Sequence, residues 1–415
     1  MILHMLGAGP AQVRAIQTAR ERGLTVAVSD QDPQAPGFKF ADLKSYASTF
    51  DAESVRKDAA HWGSDFLMTT GTDQPVLTAA RVSQNLGLPY FLTPEQALKV
   101  TNKRVMKNAL ARAGLPTVNY TFLKENFKEN QLMDLSFPLV IKPLDSQGQR
   151  GVLKVQSPGE IRKWFPEVLR YSREDMILAE EYYPSTELTV SAWAEEGRAI
   201  ILLITDRVAI DHGSHLGVCI AHRYPSLYHK SFSKLNRLVQ GITEMIGIRQ
   251  GPLYFQILAG EAGFQINEIA CRLGGAYEDE FIPALTGVPL MKMMVDMTRG
   301  SSYPVPNQDR INQNLRGKVL SLQMFFYRPG LLVWQGGMKD LLRQPGILGG
   351  RFLLEPGTVI TSRNNSTQRA GYFIVIGDSK EEVNRRVLSS YKKLKSHDSQ
   401  GESLLVRDER MLFPL

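Results

Sequence analysis

The stretch that decides the fold is Phe137-Pro138-Leu139-Val140-Ile141-Lys142-Pro143, followed by Asp145-Ser146-Gln147-Gly148-Gln149-Arg150-Gly151 and then Val152-Leu153-Lys154-Val155. It has the pattern of an apolar strand, a short polar loop with two glycines and a second strand. Such a hairpin folds backbone N–H groups over a polyphosphate, and Lys142 on the incoming strand neutralises phosphate charge. An ordinary hairpin with a solvated loop has the same pattern, so the reading depends on what surrounds it.

Two clusters lie downstream. In Glu180-Glu181-Tyr182-Tyr183-Pro184-Ser185-Thr186-Glu187 a strand ends in paired acids and re-emerges as Leu188-Thr189-Val190. Acids beside an apolar wall accept hydrogen bonds from an exocyclic amine or from ribose hydroxyls, and the backbone there reads a purine edge. Acids around a turn are also commonly just solvated. In the second cluster, Pro252-Leu253-Tyr254-Phe255-Gln256-Ile257 and Phe264-Gln265-Ile266-Asn267-Glu268-Ile269 flank a turn with two glycines. Antiparallel pairing sets Gln256 near Glu268, two oxygen donors suited to Mg²⁺. Arg272 and Gly274-Gly275 follow, a fork for an anionic oxygen and a place for close backbone approach.

The remaining residues bound the class. The chain has 415 residues, 43% hydrophobic and 22% charged, which predicts a globular protein of two to three domains. Its net charge is +7, yet no basic run exceeds two residues, as at Lys392-Lys393, so the balance suits anionic small molecules and argues against a nucleic-acid partner. Cys219 and Cys271 match neither a disulfide framework nor a metal knuckle, and no stretch reaches the length of a membrane span. The residues Met1-Ile2-Leu3-His4-Met5-Leu6 lack a basic lead and read as a buried strand, not a signal. A cytoplasmic protein without a membrane partner is expected.

Residues 1–100 alternate apolar runs (2–6, 24–29, 65–70) with helical segments (11–22, 76–84), as in right-handed βαβ units. The turn Gly7-Ala8-Gly9-Pro10-Ala11-Gln12, with Asp30 beyond, is a weak dinucleotide signal because Gln12 stands where a third glycine belongs. Residues 101–302 form a second unit with a small β-rich lobe at 116–187 and a strong helix at 233–246, and residues 303–415 a third, β-rich unit ending in a helix at 380–394.

The order of these clusters, lysine, glycine loop, acid pair, second acid, then the Gln256/Glu268 strands and Glu268-x-x-x-Arg272-x-Gly274-Gly275, resembles the ATP-grasp superfamily over essentially the whole chain. It is most similar to the carboxylate-amine (amino-acid) ligases and the biotin carboxylase and carbamoyl phosphate synthetase branch. Thr101-Asn102-Lys103-Arg104, Ala113-Gly114-Leu115-Pro116 and Arg369-Ala370-Gly371-Tyr372-Phe373 add to the likeness. The resemblance implies an α/β ATP-grasp fold with an N-terminal Rossmann-like domain and a β-rich C-terminal domain. It implies ATP and Mg²⁺ as cofactors, and a commonly homodimeric assembly. By the same resemblance Lys103 and Lys142 bind phosphates, and Ser146, Gln147, Gly148 and Gly151 belong to the loop that closes over them. Glu180, with Glu181 beside it, and the backbone of Tyr182 read adenine; Glu187 holds ribose; Gln256 and Glu268 ligate Mg²⁺; and Arg272 stabilises the phosphoryl group in flight.

Two departures stand out. Ala270 replaces the asparagine of many relatives, with Asn267 expected on the opposite strand face, and Gln147 and Gln149 make the phosphate loop poorer in glycine. Met291-Lys292-Met293 has the look of a biotinyl site, but the apolar spacing around it predicts a core helix. The implied reaction is an ADP-forming ligation of an amino acid or similar small carboxylate to an amine through an acyl phosphate. The alternatives are a bicarbonate-using carboxylase or carbamoyl-phosphate enzyme, and an ATP-binding protein that has lost catalysis. Substrate choice is assigned to residues 210–226, read as a hydrophilic loop, whose His222-Arg223-Tyr224-Pro225-Ser226 resembles an acceptor-site segment. There His222 deprotonates an incoming ammonium and Arg223 pairs with a substrate carboxylate. Zinc at His212 and His215 is disfavoured for want of a third ligand.

Overall fold

The computed structural model describes residues 1–212, 215–301, 303–362 and 365–414, with the side chains of His212 and His215 left aside. Near the N-terminus four parallel strands lie in the order Leu43–Ser45, Thr25–Ser29, Ile2–Leu6, Phe66–Met68. Helices Val13–Glu21, Ala52–Trp62 and Gln74–Leu86 connect or follow them, the crossover pattern that parallel strands require. The glycine turn after the first strand is filled from within. The Gln12 side chain donates to Thr70 O and lies 3.1 Å from where a Cβ on Gly7 would stand, so the place of a third glycine is occupied.

The rest of the chain is organised around one sheet, thirteen strands among the described residues. Its path runs Gly263–Ala270, Gly251–Gly260, Ser185–Glu195, Arg198–His212, His215–Tyr224, Leu153–Val155, Leu139–Pro143, Met176–Glu181, Tyr120–Lys124. The strand His215–Tyr224 also pairs with Val319–Tyr327, which leads to Gly371–Gly377 and Ile347–Phe352. Residues 210–226 are therefore strand for most of their length and not a loop: their apolar positions Val218, Ile220 and Ala221 are buried between two partners. One apolar core joins the N-terminal helix residues Ile16 and Ala19, Met293 and Met294, and Leu320, Leu322 and Tyr372. The run around Met291-Lys292-Met293 is the helix Leu290–Thr298, with Met291, Met293 and Met294 buried and Lys292 exposed, as its spacing predicts.

Candidate functional site

Asn102 begins the site. Its Oδ1 caps the helix Lys103–Arg112 by accepting from the N–H groups of Arg104 (3.0 Å) and Val105 (3.1 Å). The cap sets Lys103 and Lys107 four residues apart on one helix face. Lys103 Nζ donates to Ser146 O at 2.7 Å and Lys107 Nζ pairs with Glu180 Oε2 at 2.7 Å. The other Glu180 oxygen pairs with Lys142 Nζ, which also donates to Asn267 Oδ1 at 2.8 Å. Burial by itself raises the Glu180 carboxyl, but the two ammonium groups outweigh it and hold it at about 2. The Glu180 side chain is thus spent on positioning Lys142 and is not offered to an adenine. Lys107, absent from the sequence reading, is its second partner.

In the adjoining hinge, residues 181–183, the Glu181 carboxylate is also held within the protein. The Glu181 carboxylate accepts from Ser136 N (2.8 Å) and Asn119 Nδ2 (2.9 Å), and the Tyr182 N–H donates to Pro138 O at 3.0 Å. Among the described residues the N–H of Tyr183 has no such acceptor, and Tyr182 and Tyr183 both line the first cavity. The Tyr182 ring carries Lys154 Nζ over its face at 3.5 Å. Glu187 is paired with buried Arg207, whose other arm donates to Gly217 O at 2.9 Å.

Lys103, Lys142, the loop Ser146–Arg150, the hinge, Glu187, Asn267 and Glu268 line a cavity of about 390 Å³. Gly148 and Gly151 both adopt φ +70°, and a Cβ on Gly151 would meet the Tyr171 ring at 2.8 Å. Ser146 Oγ is buried without a partner among the described residues.

Gln256 and Glu268 are directly opposite across the antiparallel pair. The register slips by one residue just beyond them, a β-bulge at Asn267. This overturns the expectation that Asn267 faces away: the extra residue brings Asn267 and Glu268 to the same cavity. Ala270 is buried and lines neither cavity, so Asn267 is the amide nearest to the role its position leaves open, and it is given to Lys142. The site suits a hard cation: Gln256 Oε1 is buried with no donor among the described residues, and burial together with Asp73 pushes the Glu268 carboxyl above its ordinary range. Arg272 lies beside them, its Nε donating to Asp73 Oδ1 at 2.6 Å and its guanidinium 5.0 Å from the Tyr254 ring centre.

A second cavity of about 560 Å³ opens from the same groups, reaching from Gln256, Glu268 and Arg272 to Gly9 and Asp30 of the N-terminal sheet and to Ser366 and Arg369. His222 lies in its wall, with Nδ1 2.9 Å from Thr205 Oγ1 and Nε2 3.5 Å from Cys219 Sγ. Burial, helped by Arg207 and Arg369, keeps this imidazole well below 6.5 and therefore neutral. Arg223 does not join it. Successive strand residues face opposite ways, and Arg223 turns to Asp206 (3.8 Å), Leu412 O and the Phe413 ring, on the other side of the sheet from His222. Arg369 donates to Gly275 O at 3.4 Å, its Nε is buried without a partner, and no carboxylate pairs with it among the described residues. Both cysteines are free and buried. The possibility of zinc at His212 and His215 falls on side chains outside the described ones.

Residues 135–279, which carry the lysine, the loop, the acid pair and the paired strands, match the ATP-grasp domain family. The chain has the ATP-grasp fold. Residues 323–397 match a second family, the L-amino acid ligase C-terminal domain 2. The L-amino acid ligase from Bacillus licheniformis superimposes with a TM-score of 0.79 at 17% identity, covering 96% of this chain and 98% of the other. Phosphoribosylglycinamide synthetase from Anaerococcus prevotii gives 0.73 at 19% identity, covering 96% and 99%. Among curated proteins, an uncharacterised protein of Sinorhizobium fredii is 20% identical over 75% of this chain and 64% of its own length. The chain spans less than two thirds of the length of the curated relatives it matches. No helix among the described residues is long and apolar enough to cross a membrane.

Proposed function

We propose that the chain is an ADP-forming ligase that joins an amino acid or similar small carboxylate to an amine. The observation that carries this reading is the junction of the two cavities. Lys103 and Lys142 line the first, Arg369, His222, Gln256 and Arg272 the second, and Glu268 with the loop residues Gln147, Gly148, Gln149 and Arg150 lines both. A γ-phosphoryl group at the junction faces a carboxylate arriving from the second cavity. The carboxylate oxygen attacks phosphorus, the bond to the β-phosphate oxygen breaks, and ADP leaves. The amine nitrogen then attacks the acyl carbon, the C–O bond to phosphate breaks, and the amine gives up a proton.

The chain's own groups have separate parts in this sequence. Lys142, fixed by Glu180 and Asn267, and Lys103, fixed by Ser146 O, offset phosphate charge. Arg272 stabilises charge on the transferring group, oriented by Asp73. Gln256 and Glu268 would hold Mg²⁺, which would supply neutralisation of phosphate charge. His222, neutral and in the acceptor wall, is the group that takes a proton. Arg369, like Arg150 a guanidinium there without a carboxylate partner among the described residues, supports substrates that carry a carboxylate. The matched L-amino acid ligase segment, 323–397, contains Arg369 and supports the same choice.

The test is phosphate release from Mg²⁺-ATP with amino acids offered singly and in pairs, with and without bicarbonate. Stimulation by a pair, with ADP as product, is expected. Stimulation by bicarbonate alone would move the chain to the carboxylating enzymes, and bound ATP without turnover under any pair would end the ligase reading.

A further inference from the structure

The two glutamines that make the phosphate loop poor in glycine have partners outside the nucleotide cavity. Gln147 Oε1 accepts from the backbone N–H of Asp73, in the N-terminal segment, at 2.5 Å. Asp73 in turn orients Arg272. On the other side, Gln149 Oε1 accepts from Ser366 Oγ at 3.2 Å, and the preceding Gly148 O accepts from Ser366 N at 3.1 Å. Ser366 opens the short helical turn Ser366–Gln368 of the C-terminal segment, a wall of the second cavity. Gln149 has φ +58°, a left-handed conformation that costs a side-chain-bearing residue energy and persists where the surroundings dictate it.

We propose that Gln147 and Gln149 are positioning residues that fasten the phosphate loop to both flanking segments, so that the loop closes over nucleotide in register with Arg272 on one side and with the acceptor-cavity wall on the other. This rests on the ligase reading above. The loop then acts as a tie between three regions: its closed position, the orientation of Asp73 and the seating of the Ser366 turn are one state. A glycine at 147 or at 149 would give a looser loop without that residue's side-chain tie. The loss of glycine noted in the sequence is, on this account, what links nucleotide binding to completion of the acceptor site.

Ser366→Pro separates the ties without dismantling the turn. Proline lacks both the N–H and the hydroxyl, so both bonds to the loop are lost, yet it is well tolerated at the first position of a helical turn. Asn365 before it is extended (φ −153°, ψ 168°), the conformation a pre-proline residue prefers, and its side chain still caps Thr367 N. Gln149→Ala is the milder partner, Gln149→Glu keeps an accepting oxygen, and Gln147→Ala breaks the other side. Thermal melts establish that each variant is folded.

The experiment is hydrogen exchange of the full chain with and without Mg²⁺ and the non-hydrolysable analogue adenylyl imidodiphosphate. In the wild type the analogue is expected to slow exchange at 147–151, at Asp73 and at 366–370 together. In Ser366→Pro the response at 367–370 is expected to fall at least about 10-fold, and in Gln149→Ala by a smaller factor, while 147–151 still responds; Gln149→Glu retains the wild-type response. Gln147→Ala is expected to lose the response at Asp73 alone. Wild-type responses in all three segments of Ser366→Pro, Gln149→Ala and Gln147→Ala would overturn the proposal. If the analogue slows 147–151 in the wild type but leaves Asp73 and 366–370 unchanged, the ties fail and nucleotide binding stands. If it slows nothing in the wild type, the ligase reading falls and the proposal with it.

Discussion

Asp73 and Arg272 are 199 residues apart in the chain, yet Asp73 Oδ1 accepts from Arg272 Nε at 2.6 Å and both side chains are buried. Removing one member of such a pair leaves an uncompensated buried charge, which costs about 3–5 kcal/mol. Asp73→Ala is therefore expected to lower the denaturation midpoint markedly. Asp73→Asn keeps an accepting oxygen, so it is expected to fold better and still lose about 100-fold in ATP-dependent phosphate release, since a small misplacement of Arg272 is enough. Chemical denaturation and turnover, measured side by side on the two variants, check this; equal turnover in Asp73→Asn and wild type would show that Arg272 needs no such orientation.

Glu180 gives a pH dependence with a definite sign. Its carboxyl is held at about 2 in the folded chain against an ordinary 4.5, with Lys107 and Lys142 overcoming the effect of burial. The stability it contributes is fully present above pH 4.5 and is lost as pH falls toward 2. Glu180→Gln is expected to be less stable at pH 7 and to show a shallower loss of stability between pH 5 and 3.5. Midpoints measured across that range decide the matter, and parallel curves for the two proteins would remove Glu180 from the account.

For the cation site, Mn²⁺ in the presence of ADP is the probe, read by electron paramagnetic resonance. Gln256→Ala and Glu268→Ala are each expected to weaken Mn²⁺ binding by at least about 10-fold, because each removes an oxygen donor from a small set. Unaltered Mn²⁺ affinity in both would place the metal elsewhere.

The buried imidazoles make a separate contribution. His222 is held well below 6.5 by burial and two nearby guanidiniums, and His4, beside Ser29 Oγ at 2.7 Å, is held by burial at about 3. Both stay neutral in the folded chain while the unfolded chain takes up protons below pH 6.5. Stability should therefore fall as pH drops from 6.5, by up to about 1.4 kcal/mol per pH unit for each histidine. His4→Asn is expected to reduce that slope between pH 6.5 and 5 without changing turnover. His222→Asn is expected to reduce the slope and also alter which acceptors stimulate phosphate release; an unaltered acceptor profile would confine His222 to a packing role.

Much of the site could be read in the sequence because its parts sit on local patterns. Lys142 ends a strand before a glycine loop, and the spacing of Gln256 and Glu268 is that of a tight antiparallel pair. What escaped depends on distance or on register. Asp73 and Arg369 come from the two flanking segments, and nothing local marks either as a partner of Arg272 or of the second cavity. Lys107 carried a readable signal, four residues after Lys103 on a capped helix. The bulge at Asn267 reverses the facing that strict alternation predicts, and a bulge has no residue signature here. Arg223 was misplaced for the opposite reason: once 215–224 is known to be strand, alternation alone separates it from His222.

The pairing of His215–Tyr224 with Val319–Tyr327 has a consequence for exchanging parts between related ligases. A crossover point set between 303 and 319 looks natural because the chain there passes between two compositional blocks. Yet the new C-terminal block would arrive with its own version of Ser321, Leu322 and Gln323, which must zip onto the strand that carries His222 and Arg223. A graft that mismatched this seam would leave a long bare strand edge open to pairing between copies, so chimeras should precipitate before any change of substrate is seen. Blocks that carry residues 198–224 and 319–377 together keep the seam intact.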